Sequence, residues 1–192
     1  MTPGQNPPPG RPLALVTGVG RTVGIGSAVA RRLAASGWDV AFTYWTPYDA
    51  RMDWGVEPGA ADAVLAFLAE HGARAVAVEA DLEDPAAPAR VLDTVEERLG
   101  GVSALVMCHC ESVGSGLLET TVESFDRHFA VNARAHGSWS ASSGCAFGAS
   151  TEPGGSSPSP ATTPSATCPT ARARAPWTAS CSPPPANSPT WG

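Results

Sequence analysis

Leu13-Ala14-Leu15-Val16-Thr17-Gly18-Val19-Gly20-Arg21-Thr22-Val23-Gly24-Ile25-Gly26 is the stretch that decides the fold. Leu13 to Thr17 is a short apolar run with no polar alternation, the pattern of a strand buried on both faces in a parallel sheet. Four glycines follow within nine residues, Gly18, Gly20, Gly24 and Gly26. From Gly24 to Ala35, Ile25, Val29 and Leu33 recur at helical spacing, and Gly37 closes the helix. Strand, glycine-rich turn and helix in that order form a cradle for a pyrophosphate. Glycines let backbone N–H groups approach the anion, and the helix N-terminus faces it. The context gives the glycine pattern its weight.

Outward from this unit the chain keeps alternating. Asp39 to Trp45 reads as a second strand, Ala60 to His71 as a helix, and Ala75 to Ala80 as a third strand. Pro85 to Leu99 reads as a helix with Val91, Leu92, Val95 and Leu99 inward, and Val102 to Met107 as a fourth strand. Thr121 to Ala135 reads as a final helix, capped at Thr120 or Thr121. Repeated strand–helix units with right-handed crossovers give an α/β, doubly wound parallel sheet, here of Rossmann type and ending after the fourth strand and its helix. Thr46 to Gly59, with Trp45 and Trp54, reads as a long loop, a lid or cofactor-edge segment.

Composition divides the chain. All twelve basic residues are arginine, so no lysine is available to any site. The last Leu, Ile, Val or Met is Val131, while ten of the nineteen prolines lie beyond it. Burial of aliphatic surface is what offsets chain entropy, so the last third has no ordinary means of building a core. Three parts result: a polar, disordered lead-in over 1–11, a dinucleotide-binding domain over 12–139, and a Pro/Ser-rich low-complexity tail over 140–192. The net charge of −6 and the scattered arginines argue against a nucleic-acid partner. No long apolar run supports a membrane span, and the lead-in has no apolar signal core. Five cysteines form no disulfide framework, which suits a reducing cytoplasm.

The turn resembles the short-chain dehydrogenase/reductase family, which carries Thr-Gly-x-x-x-Gly-x-Gly after its first strand. Gly18, Gly24 and Gly26 match, with two extra residues inside the turn, and Gly20 is the alternative for the middle role. The resemblance implies that Gly18, Gly20, Arg21, Gly24, Ile25 and Gly26 hold the cofactor. Asp81 and Leu82 match the family's third-strand end, where an Asp contacts the adenine; helix capping is the other reading of Asp81. The second strand ends Phe42-Thr43-Tyr44-Trp45 without the acid that NAD enzymes place against the ribose. Arg21 is available to a 2′-phosphate, so the expected cofactor is NADP rather than NAD. Val131-Asn132 resembles the family's next helix, and Asn132 is the one member of its catalytic set that can be placed; there the Asn kinks the helix and holds a water of the proton relay. Where the family has Asn-Asn-Ala-Gly, this chain has Met107-Cys108-His109-Cys110. Zinc ligands need wider spacing and a second pair, so no metal site is read here.

The family's chemistry uses a Tyr as general acid, a Lys four residues on, and a Ser that positions the oxygen. Tyr44 and Tyr48 are the only tyrosines, both near the second strand, and the chain has no lysine. The tail suggests why. Codons for Pro169 to Arg174 can be written CCT ACG GCG CGA GCA AGG, and two bases on they read Tyr-Gly-Ala-Ser-Lys. The same offset makes an amphipathic helix of Ala175 to Gly192, and a strand with the family's Ser from Ser157 to Cys168. Only the first base of each shifted codon is free. The stretch therefore reads as translation out of frame from near Trp139, against a genuine disordered tail. The function expected is NADP-dependent carbonyl reduction or alcohol oxidation on a small molecule, 3-oxoacyl reductase-like, inactive as written; the intact family form implies a homo-oligomer. The alternative is a non-catalytic NADP-binding protein with a disordered tail.

Overall fold

The computed structural model describes residues 10–148, so the lead-in before Gly10 and the out-of-frame reading of the tail beyond Gly148 lie outside the described residues. Four parallel strands form one sheet: β1 (Leu13–Thr17), β2 (Asp39–Tyr44), β3 (Ala75–Glu79) and β4 (Ala104–Met107). Their order is β3-β2-β1-β4. Ala14 pairs with Val40 on one side and with Ala104 on the other, which makes β1 the centre of the sheet. All five β1 residues are buried, as a strand covered on both faces requires.

Alternation sorts β1 and β2 between two cores. Val16, Val40 and Phe42 point toward α1 (Ile25–Ala35) and α3 (Ala60–Glu70), where Ala30, Ala34, Val64 and Leu68 meet them. Leu13, Leu15 and Ala41 point toward α4 (Ala87–Leu99), packing with Val91, Leu92, Val95 and the fully buried Trp139. Ala30 and Ala34 let α1 lie close on the sheet. Between β2 and α3, the expected loop contains one short helix, α2 (Thr46–Asp49).

Two boundaries differ from the sequence reading. Arg11 belongs to the domain rather than the lead-in: its guanidinium donates to the Ala34 and Trp38 carbonyls and pairs with buried Asp39 at 3.5 Å. The last helix also departs from one uninterrupted segment. Thr121 Oγ1 caps α5 (Val122–Phe129) by accepting from the Ser124 N–H. A wider π-turn follows over Ala130–Arg134, and α6 (Ala135–Gly148) continues past the point where aliphatic residues stop. Trp139 supplies in one side chain the buried apolar surface that the missing Leu, Ile and Val do not.

Candidate functional site

The site begins at the β1 C-terminus. Thr17 Oγ1 accepts from the Cys108 N–H at 3.1 Å and lies 2.7 Å from His109 Nδ1. The pair makes one hydrogen bond whose direction follows the imidazole tautomer. Nε2 is buried without a hydrogen-bond partner among the described residues. Burial first, then the His136 ring at 4.5 Å, push the His109 pKa down to about 4, so the ring is neutral. Gly18 crosses this segment at φ +76, where a Cβ would stand 2.7 Å from the His109 backbone. A Cβ on Gly26 would stand 2.6 Å from the Gly18 carbonyl oxygen. These two glycines are needed for close packing of the turn. Gly24 differs: nothing lies within 4 Å of where its Cβ would be.

Gly24 caps α1 with no side-chain hydrogen bond, and the first turn of α1 holds no acid. The orphan N–H groups of an 11-residue helix are thus left for an anion. They face a cleft of about 340 Å³ at the C-terminal ends of the strands. It opens where the sheet order reverses between β1 and β4, the crevice in which doubly wound sheets bind ligands. Gly18, Gly20, Arg21, Gly24, Ile25, Gly26, Asp81 and Leu82 all line it. Val23 and Ile25 stand at the turn 78% exposed, apolar surface that a bound molecule would cover. Asp81 Oδ1 also accepts from the Glu83 N–H at 2.9 Å, so it fixes the backbone at the end of β3.

Asn132 does not line the cleft. It sits in the π-turn and clamps the segment after β4: its Oδ1 accepts from the Glu111 N–H, and its Nδ2 donates to the Glu111 carbonyl, each at 2.8 Å. Among the described residues no group of three or more His, Cys, Asp or Glu side chains is placed to hold a metal, and no helix is long and apolar enough to cross a membrane.

The residues that sequence reasoning missed come from 46–59. This segment folds over the glycine turn and reaches the far side of the cleft. Glu57 accepts from both the N–H and the hydroxyl of Thr22, at 2.9 and 2.6 Å, and these bonds lower its pKa. Trp54 lies under Arg21, 4.4 Å from ring centroid to Cζ. Arg51 forms a double hydrogen bond with the buried Glu111 carboxylate at 2.9 and 3.0 Å. Tyr48 also lines the cleft; burial first, then Cys110 and Glu111, push its pKa up to about 12. Trp54 and several charges in one loop, with Trp45 just before it, were the sequence signal; the partners lie tens of residues away and carried none.

Residues 18–142 match a family model described as Enoyl-(Acyl carrier protein) reductase. An oxidoreductase of Bacillus subtilis, YjdA, is 29% identical over 65% of this chain and 46% of its own length. Versicolorin reductase 1 of Aspergillus parasiticus is 34% identical over 64% of this chain and 42% of its own. The chain thus spans less than half the length of these curated relatives. Among solved structures, a short-chain dehydrogenase of Burkholderia cenocepacia in complex with NADP is 37% identical, with a TM-score of 0.60 over 70% of this chain and 49% of that one. A blue fluorescent protein from a metagenomic library, in complex with NADPH, has 33% identity and a TM-score of 0.60, covering 69% of this chain and 49% of that one. With the parallel 3-2-1-4 sheet and the glycine turn at its switch point, these matches establish that the chain belongs to the short-chain dehydrogenase/reductase family of Rossmann-type oxidoreductases.

Proposed function

We propose that this chain binds a nicotinamide dinucleotide, NADP(H) in preference to NAD(H), in the cleft at the strand ends. The observation that carries the reading is convergence: a glycine turn, an uncapped helix N-terminus and Arg21 open onto one cleft at the sheet's switch point. The α1 N–H groups suit the pyrophosphate, and Gly24 leaves room for it. Arg21 suits a 2′-phosphate, and Asp81 and Leu82 the adenine side. NADP and NADPH in the two solved relatives support the same choice.

The bound cofactor would supply or accept hydride at the carbon of a small carbonyl or alcohol, a 3-oxoacyl thioester being the thioester form of that class. This chain's residues hold and orient the cofactor. Asn132 acts at one remove, by fixing the backbone of Glu111. Proton donation is where the chain falls short. A useful acid needs a pKa near the working pH; Tyr48 is pushed up to about 12, and no lysine exists to lower it. The reading is therefore cofactor binding with little or no reductase turnover. Titration with NADP and NAD, beside NADPH oxidation across a ketone panel, tests it. Saturable NADP binding without turnover is expected, and enzyme-like oxidation rates would sink it.

The missing Ser, Tyr and Lys fit translation of 140–192 out of frame, and sequencing of the coding DNA decides that point. Codons unable to spell the shifted motif would leave the second reading, a non-catalytic NADP-binding protein. Pairing of copies through family-like surfaces and a reducing compartment, in keeping with free Cys108 and Cys110, belong to the same proposal.

A further inference from the structure

We propose that Trp54 is a positioning residue for cofactor selectivity: it holds the Arg21 guanidinium by its face and leaves the edge free for the 2′-phosphate. This deepens the reading of the cleft as an NADP site and rests on it. Arg21 Cζ lies 4.4 Å from the Trp54 ring centroid. Such a contact uses the π-face of the guanidinium and spends none of its five in-plane N–H donors. Arg21 makes no ion pair among the described residues.

The nearby acids are otherwise engaged. Both Glu57 oxygens accept from Thr22. Asp49 Oδ1 accepts from the Trp54 indole at 3.0 Å. Each acid is thus bonded to a neutral donor; Glu57 also feels the Arg21 charge but forms no ion pair with it, so the guanidinium edge stays open to a ligand. A phosphomonoester fits that edge with two parallel N–H···O bonds.

The ring is itself built in. Asp49 is buried, and its carboxylate lies so close to Gly20 that a Cβ there would overlap it. Tyr48 meets the Trp54 ring edge-on, with centroids 6.3 Å apart and planes at 62°. Trp54 is nonetheless 46% exposed, so the core does not require it. A large, partly exposed aromatic fixed at its nitrogen by a buried acid, with a cation on its face, is a platform for that cation. The second strand lacks a terminal acid for the ribose, and the platform supplies the opposite selectivity from the neighbouring loop.

The test is calorimetric titration of the full chain and its variants with NADP and with NAD. Trp54→Leu should weaken NADP binding about tenfold, the scale of one charge-assisted hydrogen bond, and leave NAD within about twofold. Trp54→Phe should restore most of the preference, because a phenyl face still carries a cation–π contact. Arg21→Gln should abolish the preference and make Trp54→Leu silent in the double variant. Equal loss of both dinucleotides in Trp54→Leu, or no loss of either, would overturn the assignment. Binding without preference by the native chain would remove this assignment alone. Failure to bind either dinucleotide would remove the cleft reading and the assignment with it.

Discussion

Replacing Arg51 with Met should strand a buried carboxylate. Glu111 is 4% exposed and its two oxygens accept from Arg51 at 2.9 and 3.0 Å, while the Arg51 side chain is 35% exposed. Removing one partner of a buried pair costs about 3–5 kcal/mol. The arginine end is a third in solvent, so screening puts Arg51→Met nearer about 2–3 kcal/mol. For a domain of this size that is roughly 6–15 °C in Tm. Glu111→Gln removes the charge and keeps an acceptor, so about 1–2 kcal/mol is expected. The double variant should then be more stable than Arg51→Met alone, because no unpaired charge is left inside. Urea denaturation followed by circular dichroism reads all three proteins. A native-like Arg51→Met, or a double variant less stable than that single one, would refute the bridge as the tie between segment 46–59 and the strand end.

Four further outcomes are expected. His109 is held neutral, with its pKa near 4 against an ordinary 6.5, so the unfolded chain binds the extra proton first and stability should fall as pH drops from about 6.5 toward 4, by up to roughly 3 kcal/mol; His109→Gln should flatten the urea midpoint across pH 5–6.5, above the range where Glu57, Asp84 and Glu123 respond. Gly26→Ala should cost about 1–3 kcal/mol or more, because its Cβ would meet the Gly18 carbonyl at 2.6 Å. Gly24→Ala, with open space around its Cβ, should leave Tm nearly unchanged while weakening dinucleotide binding measured by calorimetry; unchanged affinity would move the pyrophosphate elsewhere. Trp139→Ala should cost about 3–5 kcal/mol by emptying the core between α4 and α6. Trp139→Phe should cost far less, because the indole N–H is buried without a partner and its loss breaks no bond.

How legible the protein was in its sequence depends on the range of the interactions involved. The β1 run, the glycine turn and the α1 period are contiguous, and each is specified by neighbours a few residues apart. They place Gly18, Gly24, Ile25 and Gly26 at one end of one strand, and the structure places them there. Asp81 came from the resemblance of the third-strand end to the family's, and it lines the same cleft. The last helix was harder. Its period is visible to Val131, but the π-turn at Ala130–Arg134 and the run to Gly148 depend on Trp139 being buried against α4. A lone tryptophan among Ser, Ala and Gly gives no period to detect.

The sequence by itself determined that a parallel α/β unit would form, where its glycine turn lies, and that all its basic side chains of the Lys/Arg type are arginine. Those are matters of composition and local spacing, and no fold can alter them. Only the tertiary structure decided what surrounds the turn. Glu57 meets Thr22 across 35 positions, and Arg51 meets Glu111 across 60. Pairings of that span arise only when the crossovers bring the ends of β1, β2 and β4 to one side of the sheet. The segment that reads as a lid or cofactor-edge loop thereby gains its contacts over the cleft, and Arg21 becomes a cation mounted on an aromatic face.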